Sequence, residues 1–72
     1  MKLNLQRIQM VMADRQMSKG ALARRMGIAP STLTAKFRRG RCSPSSAGRM
    51  AEALEVPVAE IAEPEIETEE NR

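Results

Sequence analysis

The chain has no histidine, no tryptophan and no tyrosine, and only one phenylalanine and one cysteine. Each shortage closes off a class of protein. With no histidine and Cys42 alone, there is no Cys/His cluster to hold a metal such as zinc, and no cofactor is implied. General acid–base chemistry is equally short of groups, because the carboxylates crowd only into the C-terminal run, so the chain does not read as an enzyme. A lone cysteine cannot close an intrachain disulfide, which fits a reducing cytoplasm. With Phe37 the sole aromatic residue, the core must be built from Leu, Ile, Met, Val and Ala. Seventy-two residues make one domain, near the lower limit at which an unstapled core holds a fold, so modest stability is expected unless the chain dimerises.

Long apolar runs are missing as well. The opening stretch MKLNLQRIQM is broken by Asn4, Gln6, Arg7 and Gln9 and lacks the continuous core of a signal peptide. No segment approaches the roughly 20 apolar residues of a membrane span.

Acid is scarce over most of the chain and concentrated at its end. Residues 1–51 carry eleven basic side chains against one acid, Asp14, whereas residues 52–72 carry eight acids against one base, Arg72. The net charge of +3 is the small difference between these two opposed stretches. A concentrated basic region is the electrostatic footprint of a polyanion binder, and the plain alternative is a solvated face on an ordinary helical domain.

What is present is organised around Ser18 to Arg41. Ser18 suits an N-cap, Leu22, Ala23 and Met26 recur at helical spacing, and Gly27 supplies a left-handed stop, which predicts a helix from about Lys19 to Met26. Ile28 can plug the corner. Pro30 suits a first helical position, and Leu33 and Phe37 sit one turn apart, which predicts a second helix from Pro30 to about Arg38. At about 100° per residue, burial of Leu33 and Phe37 turns Ser31, Ala35, Arg38 and Arg39 outward, flanked by Thr32 and Thr34. A helix face that is small and polar at one end and cationic at the other can enter a major groove, where hydroxyls and guanidiniums bond base edges or phosphates.

The run Ser18, Leu22, Ala23, Met26, Gly27, Ile28, then Ser31, Leu33, Ala35, Phe37 and Gly40, resembles the helix-turn-helix of the lambda-repressor and Cro family, also called the XRE family. The likeness covers about Leu5 to Ala62, and AGRMAEALEVPVAEI looks like that family's fourth and fifth helices. It implies an all-α, compact five-helix DNA-binding domain over residues 1–62, while the acidic, hydrophobe-poor composition of residues 63–72 predicts a flexible tail. It also implies a phosphate contact for Lys19, and phosphate contacts for Arg38, Arg39, Arg41 and Ser43 in the loop beside the DNA backbone. Base readout falls to Ser31, Thr32, Ala35 and Thr34. Gly20 and Pro30 depart from the family's commoner longer polar side chains, and Pro30 cannot read a base, so fewer side chains carry recognition here.

The remaining segments read as support. Leu3 or Asn4 to about Asp14 is expected to be helical, with Leu5, Ile8, Val11 and Met12 inward and Gln6, Arg7, Gln9 and Arg15 outward; surface charges of this kind are usually solvated or paired locally. Ser43 or Ser45 can cap a fourth helix running to Leu54 or Glu55, with Ala47, Met50, Ala51 and Leu54 buried. A short fifth helix, Val58 to Ile61 or Ala62, follows Pro57. Val58 and Ile61, with Ile66, are candidates for a dimer surface; equally, Val58 and Ile61 close the monomer core. Positive charge beside Cys42 is expected to lower its pKa, although a loop filler without a resolving partner is the simpler reading. The acidic run either stays free or folds back on the basic face.

Together these readings predict a cytoplasmic, sequence-specific regulator of double-stranded DNA, of phage or bacterial type. It would act as a repressor that binds a palindromic operator as a homodimer. The alternative is an antitoxin, or another protein-binding helical module with a partner such as a toxin, in which the helix-turn-helix is partly scaffold.

Overall fold

The computed structural model describes residues 1–64. Five helices follow one another: α1 (Leu5–Asp14), α2 (Lys19–Met26), α3 (Pro30–Arg39), α4 (Pro44–Leu54) and α5 (Val58–Ile61). Two short strands, β1 (Lys2–Leu3) and β2 (Ala62–Glu63), pair antiparallel and tie the two ends of the domain together. α2 packs against α3 and α4, and α5 packs against α1 and α4.

The helix boundaries follow local chemistry. Asn4 caps α1, its Oδ1 accepting from Arg7 N at 3.0 Å; Ser18 caps α2, its Oγ accepting from Ala21 N at 3.1 Å. α3 has no side-chain cap and starts on Pro30, whose missing N–H removes one of the donors a cap would have to satisfy. Two helices stop on glycines at φ 74°, Gly27 and Gly40. After Gly27 the backbone closes a Schellman pair, with Ile28 N donating to Ala23 O at 3.0 Å and Gly27 N to Arg24 O at 3.1 Å. α4 ends in the same motif but with Glu55 in the left-handed position, at φ 62°.

The core is aliphatic, as the shortage of aromatics requires. Ile8, Leu22, Leu33, Met50, Leu54 and Ile61 are the largest fully buried side chains, and Phe37 packs half-buried at the edge. Two expectations need correcting. Leu3 does not begin the first helix: it lies in β1 opposite Ala62, both side chains are buried, and the tertiary partner has overridden the helical reading of the N-terminus. Ile61 is fully buried within its own chain, so it is a core residue with no surface to offer a second copy. Val58 is half-buried against the same core, and Ile66 lies outside the described residues. Glu63, the first residue of the acidic run, is the last residue of β2.

Candidate nucleic-acid interface

α2, the turn over residues 27–29, and α3 form a helix-turn-helix. Leu33 is fully buried against the rest of the core, which fixes the rotation of α3 about its axis. The opposite side is consequently open: Ser31, Thr32, Ala35, Arg38 and Arg39 are exposed, and Thr34 is half-buried at the flank. The helix runs to Arg39, one residue past its expected end, so Lys36, Arg38 and Arg39 share its last turn. Cations there complement the partial negative charge of the helix C-terminus, so the charge cluster stabilises its own scaffold while facing solvent.

Around this helix the other expected residues take up distinct positions. Lys19 is exposed at the first residue of α2. Arg41 is exposed immediately after the Gly40 cap. Ser43 is exposed too, but its hydroxyl caps α4, accepting from Ser46 N at 3.2 Å and donating to Ser46 Oγ at 3.2 Å. That commitment leaves Ser43 a helix cap first, with little left for a phosphate.

Ion pairing sorts the cations into two groups. Glu60 holds Arg7 through both carboxylate oxygens, at 2.8 and 3.3 Å, and Glu55 holds Arg15 at 3.4 Å and Arg25 at 3.9 Å. The local-pairing alternative is therefore the one realised for Arg7. By contrast, Lys19, Arg24, Lys36, Arg38 and Arg39 have no ion-pair partner among the described residues. Among the described residues the paired cations thus lie on α1, at its C-cap and on α2, and none of these ion pairs involves a cation of α3.

Cys42 is half-buried beside this cluster, and the expected depression of its pKa does not occur. Burial pushes the thiol above its ordinary value of 9.0, outweighing the pull of Lys36 and of the N-terminal ammonium. A neutral, partly covered thiol is a filler rather than a reactive group.

Two cations escaped the sequence reading. Lys36 lies half-buried on α3 between the two groups of outward residues, and Lys2 is brought by β1 to a bridge with Arg41. Neither carries a local signal, since one sits on the flank of the amphipathic pattern and the other depends on a pairing 39 residues away in sequence.

An open helix of small polar and cationic side chains, set on a second helix by a glycine turn and rotated by a buried leucine, defines a helix-turn-helix DNA-binding domain. A profile of the Cro/C1-type HTH DNA-binding domain family matches residues 7–67, and the chain belongs to that family. The family is a non-enzymatic DNA-binding fold, in agreement with the residue chemistry above. Comparison with curated proteins and with solved structures returned no match. Among the described residues no helix is long and apolar enough to cross a membrane.

Proposed function

We propose that this protein is a sequence-specific transcriptional regulator acting as a repressor, with α3 as its recognition helix in the major groove of a palindromic operator. Membership of a DNA-binding family supports the DNA partner. The observation that carries the assignment of roles is the exposure of Ser31, Thr32 and Ala35 on the side of α3 opposite the fully buried Leu33. Those three residues, with Thr34 at the flank, read base edges; Lys19, Arg38, Arg39 and Arg41 bind phosphates and fix register. A short hydroxyl beside a methyl accepts a limited set of base pairs, because the hydroxyl needs a donor or acceptor edge and Ala35 fits against a thymine methyl.

Two copies of the domain on half-sites about one helical turn apart match the two-fold symmetry of such operators. With Ile61 withdrawn into the core, Val58 is the remaining described residue of the dimer surface expected from the sequence. Selection of binding sites from a random duplex pool tests the whole reading at once. Enrichment of a short inverted repeat is expected; recovery of no motif, or of a motif that survives replacement of Ser31, Thr32 and Ala35 unchanged, refutes the assignment of α3.

A further inference from the structure

The N-terminal strand does more than close the domain. Leu3 N donates to Gly40 O at 2.9 Å and Cys42 N donates to Met1 O at 3.0 Å, so β1 is zipped onto the loop that follows α3. These bonds flank the Lys2–Arg41 bridge and leave that pair unbonded, which is the antiparallel register that brings Cα atoms nearest, about 4.5 Å, and side chains closest. On its other edge β1 pairs with β2, with Lys2 opposite Glu63 and Leu3 opposite Ala62. Residues directly opposite in antiparallel strands point to the same face. Leu3 and Ala62 are buried on one face, and Arg41, Lys2 and Glu63 form an exposed row on the other.

That row sets a lysine against an arginine. Two cationic side chains set side by side give one phosphate group two charge-assisted donors. Arg41 belongs to the group that flanks the recognition helix, so a ligand engaging Arg41 is within reach of the ammonium of Lys2 on its flexible stem. Glu63, beside Lys2 in the same row, opposes the approach of a phosphate and partly offsets the lysine charge before DNA arrives.

From this row we infer that Lys2 is a further DNA-backbone contact, delivered to the loop after α3 by the β1 pairing, with Glu63 lowering its strength. The inference rests on the DNA-binding reading above and adds to it a residue remote in sequence from the helix-turn-helix.

The test is a salt titration of duplex binding with K2Q, K2R, E63Q and R15Q in the full chain. Arg15 serves as the control because Glu55 already holds it and it lies outside the row. K2Q is expected to raise the Kd several-fold at about 0.1 M salt and to reduce the slope of log K against log salt by about 0.9, the value for one lost phosphate contact. K2R should keep the parent slope, E63Q should lower the Kd roughly twofold, and R15Q should change the slope less than K2Q does. Because Lys2 is exposed, thermal melting of K2Q should not be lowered. An unchanged slope in K2Q, or equal losses in K2Q and R15Q, overturns the Lys2 contact and leaves the DNA reading intact. A parent chain without salt-sensitive duplex binding overturns both.

Discussion

The two ends of α3 are chemically opposite. Its first turns present Ser31, Thr32 and Ala35 and carry no charge; its last turn carries Lys36, Arg38 and Arg39, and Arg41 follows the cap. Uncharged hydroxyls and a methyl gain little from a phosphate at long range but discriminate between base edges at contact. Guanidiniums attract any duplex and discriminate weakly when they lie on the backbone. On the proposed reading one helix separates selectivity from affinity along its length, and substitutions at the two ends should fail in different ways.

The largest effect should come from the residue that both ends depend on. Leu33→Ala removes a fully buried side chain whose packing orients α3, and such truncations cost about 2–5 kcal/mol. In a domain this small that is a large share of the total stability. Urea unfolding followed by circular dichroism should show the loss, with binding to every duplex falling in parallel. A folded Leu33→Ala variant that changed only base preference would break the comparison, because the two ends would no longer share a scaffold.

At the cationic end, Arg38→Ala combined with Arg39→Ala should weaken binding to all sequences alike, by about tenfold or more near 0.1 M salt, and reduce the salt slope by about 2. At the uncharged end, Ser31→Ala should leave the slope unchanged and alter preference at one or two operator positions, by about 1 kcal/mol for a single hydroxyl contact. Competition binding against single-base operator variants separates the two. A shift in salt slope on losing the hydroxyl would place Ser31 on the backbone instead of on a base.

The same contrast explains how much could be read before the fold was known. The uncharged end and its helix pair were legible because Ser18, Gly27, Pro30 and Gly40 each have a local physical meaning at a helix boundary, and the structure uses all four. The β1–β2 ribbon was not, since two-residue strands have no period to detect and their partners lie at opposite ends of the domain. Glu55 gave no stop signal either: a left-handed glutamate is held by Schellman geometry, with Val56 N bonded to Ala51 O at 3.0 Å, and not by any preference of its own. Ile61 was ambiguous because one turn of helix cannot show which side is inward until its neighbours are placed.

Cys42 sharpens the comparison with the smallest expected effect. It follows Arg41 in sequence, yet the cationic end does not activate it, because burial dominates over Lys36 and the N-terminal ammonium. Burial, and not the neighbouring charge, therefore sets the state of this thiol. Iodoacetamide should alkylate Cys42 more slowly in the folded chain than in urea at the same pH, since thiolate is the reactive form. The linked stability has a definite sign. The folded thiol holds its proton above the ordinary value of 9.0, so its contribution is complete below that range and is lost as pH rises through it toward the folded pKa. Cys42→Ser should remove this alkaline loss while leaving the salt slope of duplex binding at the parent value; a changed slope would mean that the thiol, and not the guanidiniums alone, helps set the affinity of the loop.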